Sequence, residues 1–289
     1  MNIGIIFAAL TILFFGSWAV PTKTLKEHPE VQAFWLTIGH FLLSVSIFLF
    51  VAQPIPFGEL VPPFIAGVLW GIGIISGYIG IRHLGITRAL GIWIPLVILT
   101  SAFWGLVFFK EAWTLPLQKL ILTIAGIALL VIAALAVIFS AKDDKKLGNI
   151  KIGITASIIL GLIHGSYFIP LRASSVSIFV TFLPLTIGMV VATSFTVIIK
   201  KLRVISDMKS VSRMLFAGLI IGGGNYTAIL TTQFLGVAGG YPLTQLGIVV
   251  NTLWGALIFK EIEHKKGKIL IAIGVAVAIV GAVVLNSAK

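Results

Sequence analysis

An all-α integral membrane protein of ten transmembrane helices, built as a five-plus-five inverted repeat, is the fold class that three observations predict. Of the 289 residues, 58% are hydrophobic and only 10% are charged, where a soluble domain carries about 25% charged residues. Apolar runs of about 20 residues, the length that crosses a bilayer as a helix, recur along the whole chain. Finally, Trp104-Gly105-x-x-x-Phe109-Lys110-Glu111 returns as Trp254-Gly255-x-x-x-Phe259-Lys260-Glu261. A duplicate at so wide an interval points to two related halves.

The spans fall at 3–21, 32–52, 62–82, 90–109, 119–140, 152–171, 178–199, 214–235, 241–259 and 268–286. With a mean hydropathy of +1.13, the chain has too few charges to cover a water-facing surface. The first run lacks a basic leader and ends in Val20-Pro21-Thr22, so it reads as a span and not a signal peptide. No loop is long enough for a soluble domain. Of the 21 Lys and Arg residues, 17 fall in the links after spans one, three, five, seven and nine or at the span ends that border them. By the positive-inside rule those links are cytoplasmic and both termini lie outside, in a multi-pass plasma-membrane protein. The same rule accounts for the basic excess without nucleic acid. The absence of cysteine excludes disulfides and thiolate metal sites.

The repeat extends along both halves. Gly4 and Gly16-Ser17-Trp18-x-x-Pro21 match Gly153 and Gly165-Ser166-Tyr167-x-x-Pro170 at an offset of 149, as Thr37-Ile38-Gly39 matches Thr186-Ile187-Gly188. Gly67, Gly71, Gly73 and Leu84-Gly85 match Gly218, Gly222, Gly224 and Leu235-Gly236 at an offset of 151. The expected units are a first five-helix repeat over 1–142, a cytoplasmic linker over 143–149 and a second repeat over 150–289. Five spans per half is an odd number, so the second half enters the membrane from the opposite side, which is the architecture of alternating-access carriers.

Spans five and ten are nearly devoid of polar side chains and are expected at the periphery, against lipid. Gly222-Gly223-Gly224-Asn225 falls at mid-span, where three glycines are expected to loosen the helix and let a ligand reach its backbone. No acidic residue lies deep in a span. That argues against an organic-cation antiporter, against Mg²⁺-dependent lipid enzymes and against a metalloprotease. No catalytic residue, metal ligand or cofactor is expected.

What remains at depth is neutral and aromatic. Trp70, Trp93, Tyr167, Asn225, Tyr226, Gln245 and Asn251 are the candidate binding residues, because amides and hydroxyls beside aromatic faces suit an uncharged polyhydroxylated solute. His40 and His164 are the side chains at depth able to titrate near neutrality, and so the candidates for a coupled proton. Lys110-Glu111 and Lys260-Glu261 are read as helix ends or gates at opposite mouths. Lys23 and Arg172, each two residues past a matching Pro, are read as snorkelling anchors.

Gly67-Val68-Leu69-Trp70-Gly71-Ile72-Gly73 followed by Arg82-His83-Leu84-Gly85-Ile86, with an aromatic-containing Gly-Ser motif opening each half, resembles the drug/metabolite transporter superfamily. Within it, the chain is similar to the sugar branch of glucose-uptake proteins and rhamnose/proton symporters. The resemblance implies a secondary carrier whose central cavity is lined from both halves. It implies a neutral sugar or polyol as cargo, with or without a proton, and places Trp70 and the Gly222–Tyr226 stretch on the cavity. An exporter of amino acids or other amphipathic metabolites is the alternative within the superfamily.

Overall fold

The structure, a computed structural model, describes residues 3–51, 56–84, 86–139, 148–172, 178–205, 207–254 and 265–287; among them every regular element is helical. The first part of the chain forms α1 (Ile3–Ser17), α2 (Pro29–Val51), α3 (Phe57–Leu84), α4 (Ile86–Phe103), α5 (Glu111–Thr114) and α6 (Leu117–Ile138). The second part forms α7 (Ile150–His164), α8 (Phe168–Arg172), α9 (Ile178–Ile199) and α10 (Met208–Leu235). It ends with α11 (Tyr241–Thr244), α12 (Gly247–Leu253) and α13 (Lys265–Ser287). One π-helical turn follows α4 at Trp104–Phe108, and another follows α10 at Gly236–Gly240.

Among the described residues, seven helical stretches are long and apolar enough to cross a membrane. Helix is the natural outcome for such segments, since hydrocarbon offers no partner to a backbone N–H or C=O and the segment must satisfy its own. Side chains mark the helix starts: Asn149 Oδ1 accepts from the Lys151 and Ile152 amides, and Asp207 accepts from the Ser210 amide. At the far end of α10 the chain turns at Gly236, with φ +70°.

The interior is held by close backbone approach. A methyl group added at Gly67 on α3 would lie 1.8 Å from the Leu185 carbonyl oxygen on α9, and one at Gly218 on α10 would lie 2.1 Å from the Leu36 oxygen on α2. Only glycine lets these helices meet so tightly. The same offsets that align the sequence, 149 and 151, carry the first contact onto the second. Two buried hydrogen bonds behave alike: Thr37 to Thr193, at 2.8 Å, and Ser44 to Thr186 exchange partners at an offset of 149. A third pair is Trp104 Nε1 donating to Ser166 Oγ and Trp254 Nε1 donating to Ser17 Oγ.

α6 and α13 pack chiefly on each other, and their outward faces expose Ile121, Ile124, Ile273 and Ile279. That is the peripheral position expected of spans five and ten. The expectation for Gly222–Gly224 needs correcting, because α10 runs through them unbroken. The glycines seat neighbouring rings instead: His40 lies against Gly222, Phe14 against Gly223 and Phe15 against Gly224. Their helix propensity cost is outweighed by packing that a side chain would block.

Candidate functional site

A central cavity opens between α1, α3, α4, α7, α10, α11 and α12, with about 770 Å³ of empty space when its open mouth is counted. Its wall divides by chemistry. The first part of the chain supplies aromatic and aliphatic groups: Phe15, Trp18, Trp70, Ile74, Trp93 and Ile94 among them. The polar side chains come from the second part, as His164, Asn225, Tyr241, Gln245 and Asn251. One wall can pack a flat apolar face, and the facing groups can donate and accept hydrogen bonds.

Trp70 is 1% exposed and fixed from two sides. The His164 ring stacks on it, with centroids 5.0 Å apart and planes 19° apart, and His164 Nε2 lies 3.2 Å from the Trp70 carbonyl oxygen. The His40 ring meets it edge-on at 5.5 Å. Asn225 is buried in the cavity wall, and its Nδ2 has no hydrogen-bond partner. A buried donor left unpaired is costly and calls for an explanation. Gln245 Nε2 donates to Thr244 Oγ1 at 3.2 Å, and Tyr241 donates its hydroxyl to the His164 carbonyl at 3.1 Å.

Six expected residues therefore line the one cavity: Trp70, Trp93, His164, Asn225, Gln245 and Asn251. Three sit elsewhere. His40 is fully buried behind Trp70, packed also on Phe182, and neither ring nitrogen has a partner. Tyr167 is fully buried against the rings of His164 and Tyr241, and Tyr226 packs its ring on Phe182 at 5.2 Å. Neither tyrosine is among the residues that line the cavity. Tyr241 and Phe15 were not foreseen. The Gly239-Gly240-Tyr241-Pro242 run, a turn followed by a helix start, was the available signal for the tyrosine.

Glu111 ties the two parts of the chain together. Its Oε1 accepts from the Val237 amide and its Oε2 from the Ala238 amide, both at 2.9 Å. Arg172 Nη1 lies 3.4 Å from Oε1, and its guanidinium sits 4.9 Å over the Phe109 ring. Arg172 thus pairs with Glu111 while 41% of its long side chain stays exposed, so it is a tertiary partner as well as a residue that reaches solvent. Lys110 beside Glu111 adopts a left-handed backbone, φ 58°. Lys260 and Glu261 lie outside the described residues. Among the described residues no group of three His, Asp or Glu could hold a metal ion.

Helical stretches able to cross a bilayer, folded around a two-faced polar and aromatic cavity, define a multi-pass membrane protein. A family model described as sugar transport protein matches residues 6–288, and the chain belongs to that family. It is 29% identical over 288 residues to the glucose uptake protein GlcU of Bacillus subtilis, covering 99% of this chain and 98% of the relative. It is 27% identical to a probable glucose uptake protein GlcU of Priestia megaterium and 25% identical to a putative sugar uptake protein of Listeria monocytogenes, each over 99% of both chains. A solved crystal structure superposes with a TM-score of 0.71 at 16% identity, over 97% of this chain and 95% of the other, a likeness of fold alone.

Proposed function

We propose that this sugar transport protein is a secondary transporter that moves a neutral sugar or polyol across the plasma membrane by alternating access. The observation that carries the reading is the division of the cavity wall into an aromatic side and a neutral polar side. A pyranose has the same two-sidedness, with C–H groups on its faces and hydroxyls around its rim. Asn225 Nδ2, unpaired in that wall, is a donor for one of those hydroxyls. The names of the relatives, which speak of glucose and sugar uptake, favour inward transport.

Ten spans in a five-plus-five inverted repeat, with units over 1–142 and 150–289 and both termini outside, fit this mechanism. The contact pairs that exchange at offsets of 149 and 151 support the repeat. So do the helix neighbours, since α3 packs on α7 and α9 as α10 packs on α1 and α2. In that topology the Glu111 contacts close the outer mouth. If a proton drives transport, His164 is its carrier in the cavity wall, and His40 lies one ring further back.

Uptake of labelled glucose into proteoliposomes, with and without a pH gradient, tests both the cargo and the drive. Asn225→Ala should abolish sugar binding while membrane insertion stays intact. Failure of the wild type to take up any hexose, pentose or deoxysugar overturns the reading.

A further inference from the structure

A second hollow, about 820 Å³ with its open mouth included, lies beside the α1–α2 connection. Thr22, Lys26, Glu27 and Gln32 border it on one side, Tyr78 and Arg82 of α3 on the other. Trp18, Ala19 and Ile81 belong to both this hollow and the central cavity, so the two meet at these residues. The Trp18 ring stands edge-on to Tyr78 at 5.7 Å and 90°.

Two polar atoms of this wall have no hydrogen-bond partner. One is the hydroxyl of Tyr78, a residue only 6% exposed, and the other is Glu27 Oε2. A hydroxyl can donate and accept, and a carboxylate oxygen accepts, so together they suit a ligand rich in hydroxyl groups. Trp18 adds a flat apolar face beside them. The surrounding charges narrow the class further. Glu27 disfavours an anion in contact with it, and Lys23, Lys26 and Arg82 disfavour a cation. A neutral polyhydroxylated molecule conflicts with none of them.

We propose that this hollow is a second sugar subsite, holding the solute between the central cavity and the water on the side of the α1–α2 connection. The proposal rests on the sugar-transport reading above. Glu27 and Tyr78 contact the sugar hydroxyls, and Trp18 borders both compartments. Loading both places would give a protein that binds two sugar molecules.

Equilibrium binding of labelled glucose to the purified full chain in detergent tests this. Two classes of site are expected, with total binding approaching two per chain. Tyr78→Phe keeps the ring packed on Trp18, and Glu27→Gln keeps the shape of the side chain. Each should weaken the second class at least tenfold and leave the first unchanged, whereas Asn225→Ala should remove the first. A single class in the wild type, or two classes both indifferent to Tyr78→Phe and Glu27→Gln, overturns the subsite and leaves the transport reading standing. No binding of any sugar sinks both. Preference of the Tyr78-dependent site for glucose 6-phosphate over glucose makes it an anion site and also overturns the proposal.

Discussion

Replacing Glu111 with Gln should loosen the contact that joins the two parts of the chain, which in the proposed topology closes the outer mouth. The carboxylate holds two backbone amides at 2.9 Å with one oxygen each, across 126 and 127 residues of sequence. Gln keeps a single acceptor oxygen, so one amide loses its partner and faces an N–H₂ group. A hydrogen bond to a charged acceptor contributes about 1.5–3 kcal/mol, and the lower end suits a side chain that is 23% exposed. The pairing with Arg172, at 3.4 Å and partly in solvent, adds up to about 1 kcal/mol. The closed arrangement therefore loses about 2 kcal/mol relative to an open one in which water satisfies the same groups. That shifts the closed-to-open ratio by about 30-fold.

The absence of native cysteine makes the shift measurable. Val97 lines the cavity and is 2% exposed, so Val97→Cys reports access to the interior. In right-side-out vesicles a membrane-impermeant maleimide should label this cysteine slowly, and up to about 30-fold faster when Glu111→Gln is added. An unchanged rate in a folded double variant would refute the view that these contacts hold the mouth shut. A rise seen only in inside-out vesicles would instead reverse the assigned orientation.

Other perturbations probe the packing. Gly67→Ala and Gly218→Ala place a methyl group 1.8 Å and 2.1 Å from a carbonyl oxygen and should each cost about 1–3 kcal/mol or more in thermal melts of the detergent-solubilised protein. Gly58→Ala, with nothing within 4 Å, should be neutral or stabilising by up to about 1 kcal/mol; equal losses at all three positions would contradict the close-approach argument. Asn149→Ala removes the cap of α7 and should lower stability by about 1 kcal/mol in the same melts. For Thr37 and Thr193, bonded at 2.8 Å, a double-mutant cycle with Val at both positions should give a coupling of about 0.6 kcal/mol.

Most of the cavity was legible because depth in the membrane and polarity together pick out few residues. Trp70, Trp93, His164, Asn225, Gln245 and Asn251 were found that way, and they line one cavity. The misplacements have a common cause. Tyr226 follows Asn225 directly, and one step along a helix turns the side chain by about 100°, which carries it off the cavity and onto Phe182. The run of hydrophobic residues gives no amphipathic stripe from which that angle could be read. Gly222–Gly224 misled for a related reason: propensity describes a helix alone, and these glycines are governed by rings far away in sequence. Glu27 was passed over because acidic residues were sought inside spans, whereas it sits in the α1–α2 connection at the edge of a hollow.

The proposed repeat gives the polar wall its meaning. At the offsets of 149 and 151, Phe15 corresponds to His164, Ile74 to Asn225, Leu90 to Tyr241 and Ile94 to Gln245. All eight line the cavity, and in each pair the apolar member lies in the first half. Trp70 and Ile221 line it as well, with the ring on the apolar side. The positions that hold the helices together are alike in the two halves: Gly67 with Gly218, Thr37 with Thr186, Trp104 with Trp254. The proposed alternating access, in which one half rocks against the other, needs matched packing surfaces, so sameness would serve that motion. A sugar has no two-fold axis, and a cavity with the same groups on both sides could not offer a ring face and a hydroxyl edge their different partners. The halves therefore need to agree where they touch each other and to differ where they touch the solute.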